Sequence, residues 1–284
     1  MLEKVRFNYL SKFLPTFSLQ KLKVGEAYIC SLNDQSGRAG NIFTRIACGA
    51  DFSWYKAVMK AQSEYVERKA YQSSTANSST GFAAYPFIFQ KAKAQRKAKS
   101  IAYREMLERY AWPEWFENKD IAYKVREAVN EENKSFFQGI DKEFCFSSFY
   151  AIWPKLADKN VKLVIFYAQI EEGLVCAAAA NEHEVQAEQG ALKELYMHAI
   201  GLYRMRSHKI HPSTPYEKRV DWIGGQREAL EKRLAFSGDQ PISVPFPVVF
   251  QSIKTEFSQA YVVERCMFEG YDKKFISEDN EMYI

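Results

Sequence analysis

Glutamate and arginine recur at one spacing in this chain, as Glu64-x-x-Glu67-Arg68 and again as Glu105-x-x-Glu108-Arg109. Each copy closes a stretch rich in Ala, Lys and Gln that reads as helix, and residues three apart share one helical face. Two helices carrying paired carboxylates can build a four-carboxylate cage. Buried together, such carboxylates repel one another unless divalent cations fill the space between them, and an all-oxygen donor set suits Mg2+ better than Zn2+. The arginines that end both copies would then face the phosphates that Mg2+ carries. The competing account is a pair of solvated helix faces, because E-x-x-E-R is common where charged side chains pair along a helix in water.

The elements that must position these residues follow from periodicity and turn signals. Glu26–Leu32 and Asn41–Cys48 read as strands around the turn-forming Asn33–Gly40. An N-cap at Asp51 or Ser53 opens a helix to about Tyr71, which carries the first pair. The Ser/Thr/Asn-rich QSSTANSSTG leads to the apolar run Phe82–Phe89 and to a second helix over about 90–111, which carries the second pair. The chain then turns aromatic at Trp112, Trp115 and Phe116. Residues 1–24 read as a short helix and an irregular segment at Pro15. Between 117 and 160 the period stays unsettled around FCFSSFYAIW. Val161–Ile170 is the clearest strand and forms a hairpin with Gly173–Ala180. Helices are expected over 184–205 and 219–235, and strands at Val244–Phe250 and Ala260–Val263. This order gives an α+β (mixed α/β) class, with the glutamate-bearing helices packed on a mixed β-sheet.

Composition narrows the function classes. With 284 residues, 47% of them hydrophobic, the chain can bury a substantial core, and a single domain over 1–284 is expected, with 1–48 as a possible small lobe. A net charge of +4, from 39 basic and 35 acidic residues, gives no bulk attraction to nucleic acid. The one basic run, Lys91, Lys93, Arg96, Lys97 and Lys99, lacks interleaved aromatics and reads as a solvated helix face. Five scattered cysteines, with no C-x-x-C pair, fit a reducing compartment. No stretch approaches the ~20 apolar residues of a membrane span, so a cytoplasmic protein without a membrane partner is expected.

Residues 48–71, CGADFSWYKAVMKAQSEYVERKAY, resemble the first signature of the YcaO family, in which a Gly-rich strand end precedes a helix finishing in E-x-x-E-R plus an aromatic. NSSTGFAAYP followed by EMLERYAWPEWF is similar to a later family segment, where an S-T/N-G-x-A-A loop leads into E-x-x-E-R-D-A and paired tryptophans. Residues 178–195, AAANEHEVQAEQGALKEL, look like the family's strand end leading into A-x-x-x-A-L-x-E. The chain departs from this pattern at Lys60, where a small Ser is usual, at Gly190, where an Arg is usual, and at Met197, where a Gln is usual.

The resemblance implies an enzyme that uses ATP and Mg2+ to phosphorylate the oxygen of a peptide amide, so that this oxygen leaves as phosphate. Attack by a Cys, Ser or Thr side chain of the substrate then gives a thiazoline or oxazoline, and an external sulfur source gives a thioamide. Glu64, Glu67, Glu105 and Glu108 become metal ligands, while Arg68, Arg109, Ser79 and Glu194 become nucleotide-binding residues. The implied partners are a ribosomally made precursor peptide and a protein that recognises its leader, with homo-oligomerisation possible. Two alternatives remain open: a degenerate, non-catalytic scaffold subunit of a peptide-modification complex, and an unrelated interaction protein with charged surface helices. Among other candidates, His208 and His211 with Cys176 and His183 lack a second pair at ligand spacing. His198, on an Ala/Leu-rich helix, reads as a packed core residue, and Lys60 as a phosphate contact or a pocket filler.

Overall fold

A computed structural model of the chain describes residues 10–14, 17–34, 46–72, 80–212, 215–244 and 247–269. Two compact units emerge, Met1–Met106 with Pro247–Glu269, and Leu107–Phe246 with Gly270–Ile284. Among the described residues six α-helices accompany three antiparallel sheets.

The first unit holds strands β1 (Phe17–Val24), β2 (Ala27–Asp34) and β3 (Ile46–Asp51) in the order β1-β2-β3. Its second sheet is β4-β10-β9, built from β4 (Thr80–Pro86), β9 (Val248–Ile253) and β10 (Tyr261–Phe268). Helix α1 (Trp54–Gln72) follows β3, and α2 (Lys91–Glu117) follows β4 and lies in this unit through Met106. Ala57, Val58, Ala61, Tyr65 and Val66 form the inward stripe of α1, at the three- and four-residue spacing of one helical face. Ala57, Val58 and Ala61 pack with Cys30 and Leu32 of β2, while Tyr65 and Val66 join Phe82, Tyr261 and Val263 of the other sheet.

Two glycines set how closely strands and helices approach. A Cβ on Gly49 of β3 would stand 2.1 Å from the carbonyl oxygen of Ala57, and one on Gly81 of β4 would stand 1.9 Å from that of Ala102. No side chain fits at either place, so each strand lies directly on helix backbone.

The second unit is built on the meander β5 (Tyr123–Arg126), β6 (Ser148–Pro154), β7 (Lys162–Ile170) and β8 (Gly173–Asn181). Adjacent residues of β7 reach opposite faces. Tyr167 meets Trp115 and accepts a hydrogen bond from the indole of Trp112 at 2.9 Å, whereas Phe166 packs on Phe149 and, through it, on Phe137 of α3 (Lys134–Phe144). Being covered on both sides explains why β7 reads as an unbroken apolar run. Helix α4 (Glu184–Ser207) lies against β7 and β8 through Ala187, Ala191, Leu195 and Ala199. Helices α5 (Pro215–Gly224) and α6 (Arg227–Leu234) follow.

Several expectations needed correction. Residues 17–24, expected to be irregular, form β1, whose outward Gln and Lys residues hide the strand period. The single helix expected over 219–235 is two, broken where Gly225 and Gln226 turn back on Trp222 and Ile223. Helix α2 continues past the expected end to Glu117, with Pro113 inside it. Trp112 and Trp115 are therefore buried helix residues.

Candidate functional site

Both E-x-x-E-R copies end up on long helices, α1 and the middle of α2, and all four glutamates are half-buried. Each accepts a hydrogen bond from the backbone of an edge strand. Glu64 Oε2 takes the amide of Cys48 in β3 at 3.3 Å, and Glu67 Oε1 takes that of Ala84 in β4 at 2.8 Å. Glu105 Oε2 takes the amide of Phe82 in β4 at 2.8 Å, and Glu108 Oε2 takes that of Ala180 in β8 at 3.3 Å. Among the described residues β3, β4 and β8 each have a strand on one side only. The glutamates thus satisfy amides for which the sheets supply no acceptor.

On β4 the arrangement joins two helices. Phe82 and Ala84 are two residues apart, so their amides leave the same edge about 7 Å from each other. Their acceptors are Glu105 of α2 and Glu67 of α1, which brings one carboxylate from each motif to the same strand edge. The glycines explain why the reach is short enough: Gly49 and Gly81 adjoin Cys48 and Phe82, the residues whose amides are donated.

The arginines and their neighbours are placed as follows. Arg68 Nη2 donates to Glu64 Oε1 at 2.6 Å, one turn back on α1. Arg109 is half-buried on α2. Lys60 is tied to the end of β3, donating to the carbonyl of Ala50 at 2.9 Å and pairing with Asp51 at 2.8 Å. Ser79 lies outside the described residues.

On α4, Glu194 pairs with Lys193 at 2.6 Å. Its carboxyl is held below the usual range: burial alone would raise it, and the charge of Lys193, assisted by Arg219, outweighs that. Beside it, His198 is a buried core residue, as expected. Its Nδ1 shares a short hydrogen bond with the carbonyl of Cys176, and its Nε2 faces Arg219 Nη2 of α5 at 3.4 Å. A carbonyl only accepts and a guanidinium only donates, so the ring is a neutral Nδ1–H tautomer. Burial, then the charge of Arg219, pushes its pKa down to about 4.

Three charged residues escaped notice in the sequence. Glu188, fully buried on α4, accepts from the amide of Asn130 at 2.8 Å and from Asn133 Nδ2 at 3.1 Å; burial raises its pKa. Arg219 lies in KRVDW, where nothing distinguishes it from a surface cation. Arg233 lies buried between the rings of Trp115 and Tyr123 and donates to carbonyls of Trp115, Asn118, Ile121 and Phe236. No local pattern announces a buried arginine with no carboxylate partner among the described residues.

No protein-family model matches the chain, and no curated protein sequence matches it either. Solved structures do. A chain of the E. coli microcin synthetase McbBCD complex aligns with a TM-score of 0.59 at 10% identity, over 89% of this chain and 87% of that one. The same complex with pro-MccB17 bound aligns at 0.59 and 10%, over 91% and 88%. YcaO from Methanopyrus kandleri, bound with AMPPCP and Mg2+, aligns at 0.57 and 13%, over 94% and 90%. The fold is YcaO-like.

At Gly190, where the sequence resemblance leads to the expectation of an arginine, a Cβ would stand 2.9 Å from Cβ of Ala179 in β8, so strand and helix approach closely there. The carboxylates suit a hard cation in donor type, and each is fixed by a hydrogen bond, as ligand carboxylates characteristically are. Among the described residues, however, no three His, Cys, Asp or Glu side chains form a ready-made metal cluster. Mg2+ characteristically takes one or two carboxylates, with water and substrate phosphates completing its octahedron, and that is the donor set these pairs suit. None of the five cysteines is in a disulfide. Burial pushes the thiols of Cys30 and Cys266 up to about 12, which leaves neither as a nucleophile. Among the described residues no helix is long and apolar enough to cross a membrane.

Proposed function

We propose that this protein is an ATP- and Mg2+-dependent modifier of peptide backbones. It would activate an amide of a ribosomally made precursor by phosphorylating the amide oxygen, giving an azoline ring or a related product. The observation that carries the proposal is the fixing of all four glutamates by strand-edge amides, on a fold like that of a YcaO protein bound with AMPPCP and Mg2+. A hydrogen bond from an amide orients a carboxylate and leaves it charged, which suits a ligand and is more than a solvated helix face requires.

Glu64, Glu67, Glu105 and Glu108 would hold Mg2+, which when bound supplies charge neutralisation for phosphate oxygens. Arg68 orients Glu64, and Arg109, Ser79 and Glu194 are assigned to the nucleotide. The attacking thiol or hydroxyl belongs to the substrate, in keeping with the raised thiols of Cys30 and Cys266. The work of the protein would be positioning and electrostatic stabilisation. A leader-recognising partner would deliver the precursor in the cytoplasm.

Calorimetric titration with AMPPCP, with and without Mg2+, tests this on the wild type and on Glu67→Gln/Glu108→Gln. Glutamine keeps a carbonyl to accept the amides of Ala84 and Ala180, so the variant removes charge with little disturbance of the strand edges. Mg2+-dependent binding should be present in the wild type and lost in the variant; equal binding in both would overturn the assignment. Gly190 favours one second reading, a scaffold subunit that has given up an arginine for packing. That reading requires that no phosphate be released when precursor and partner are supplied, whether or not nucleotide binds.

A further inference from the structure

The basic run on α2 acquires a setting that its sequence does not show. Between Glu67 and Glu105 the chain has eight basic residues and no acidic one. Five of them, Lys91, Lys93, Arg96, Lys97 and Lys99, crowd the N-terminal turns of α2, where the helix macrodipole already presents positive charge and disfavours cations. Lys91, Lys93, Arg96 and Lys97 are exposed, and none of the five has an ion-pair partner among the described residues.

Beside this face runs β9, the edge of its sheet, with no strand on its outer side among the described residues. Lys99 Nζ sits 5.6 Å from the ring centre of Phe250, and Gln95 donates to Ser252 Oγ at 3.0 Å, so the cationic helix and the strand edge make one continuous surface. The strand is apolar and open, with Val249 and Phe250 exposed, and Phe89, just ahead of α2, is 84% exposed. Natural edge strands are ordinarily covered or broken by charge, and this one carries neither lysine nor proline.

We propose that α2 and the β9 edge form a docking surface for an acidic, extended polypeptide segment. Such a segment adds a strand to β9 through main-chain hydrogen bonds, and every second side chain then points toward α2. Carboxylates at those positions meet the unpaired cations beside Phe250, while the apolar residues between them lie on the opposite face and cover Val249. Nucleic acid is the poorer occupant, because it cannot use a strand edge and the chain as a whole carries only +4. The proposal stands on the first unit alone and does not depend on ATP chemistry.

The test uses fluorescence anisotropy with the full chain and three labelled probes: a short peptide alternating Glu and Val, the same peptide with Gln for Glu, and an oligothymidylate of matched charge. The Glu/Val peptide should bind, weaken with added salt, and lose about tenfold or more in affinity to Lys93→Glu/Arg96→Glu/Lys97→Glu. It should also slow hydrogen exchange of β9 amides. Acidic residues at a helix N-terminus favour the helix, so the variant should fold; should circular dichroism show otherwise, Lys93→Gln/Lys97→Gln carries the same comparison. Equal binding of the Gln peptide, equal or tighter binding of the oligonucleotide, or unchanged β9 exchange would each overturn the proposal.

Discussion

Replacing Gly81 by alanine should damage fold and site through a single contact. The new Cβ would stand 1.9 Å from the carbonyl oxygen of Ala102 and 2.6 Å from the amide nitrogen of Met106, both helix backbone, where ordinary contact begins at 3.4 Å. Neither atom can rotate away, so β4 must retreat from α2. That retreat stretches the 2.8 Å bond from the Phe82 amide to Glu105 beyond hydrogen-bonding reach. Losing a hydrogen bond to a charged group costs about 1.5–3 kcal/mol, and forced overpacking adds about 1–3 kcal/mol, so a loss on the order of 3–5 kcal/mol is expected. Two further glycines calibrate the figure. At Gly190 the obstacle is a side-chain Cβ at 2.9 Å, and Gly190→Ala should cost about 1 kcal/mol; at Gly225 the nearest atom is 3.6 Å away, and Gly225→Ala should lie within about 0.5 kcal/mol of wild type. Urea unfolding of the three variants at one pH gives the order directly. A Gly81→Ala protein less than about 1 kcal/mol below wild type would refute the close-approach account, and the glutamate–amide geometry with it.

Two other perturbations probe buried charge. Arg233→Met strands carbonyls of Trp115, Asn118, Ile121 and Phe236 without their donor, and should cost on the order of 3–5 kcal/mol in chemical denaturation; Arg233→Lys, which cannot span the same fork, should recover only part of it. His198 predicts a pH slope. Its folded pKa of about 4 lies below its ordinary 6.5, so between those values the unfolded chain takes up a proton that the folded chain refuses. Stability is therefore at its full value above pH 6.5 and falls as pH drops through the window, by about 3 kcal/mol at its lower end. His198→Asn should flatten that part of the profile in urea unfolding at pH 7 and pH 4.5, and an unchanged wild-type slope in the variant would sink the assignment of a buried neutral ring.

The sequence revealed its elements unevenly, for physical reasons. Long helices and the β7–β8 hairpin were legible because their apolar residues repeat at the element's own period and core packing enforces that period. β1 was not, because both of its faces carry polar residues and no burial pattern marks it. The break between α5 and α6 was hidden inside a good helix-forming composition, where one Gly-Gly step decides the outcome. Residue types and spacing singled out the four glutamates and both arginines as candidates. They did not show what the glutamates touch, because a backbone amide at a sheet edge leaves no trace in side-chain pattern. Glu188 is the sharper case: it lies on the same helix as Glu194, looks like any surface glutamate in QAEQGALKEL, and is buried against Asn130 and Asn133.

The strand-edge hydrogen bonds also explain why a glutamate pair, and not a single glutamate, recurs on each helix. A helix lying against the edges of two strands meets an unsatisfied amide from each, and acceptors three residues apart place two carboxylates on the same face less than one turn from each other. On α1 the pair reaches β3 through Glu64 and β4 through Glu67; on α2 it reaches β4 through Glu105 and β8 through Glu108. β4 is therefore held from both helices, by alternate amides of one short stretch whose glycine admits the helix backbone. Glutamine supplies the same acceptor without the charge, so an edge-sealing role alone does not require Glu at all four positions. Charge retained where only a carbonyl is needed is what separates the ligand account from the structural one, and a glutamine scan reads it: unchanged stability with lost Mg2+-dependent nucleotide binding assigns the charge to the ligand, whereas lost stability at every position assigns it to the fold.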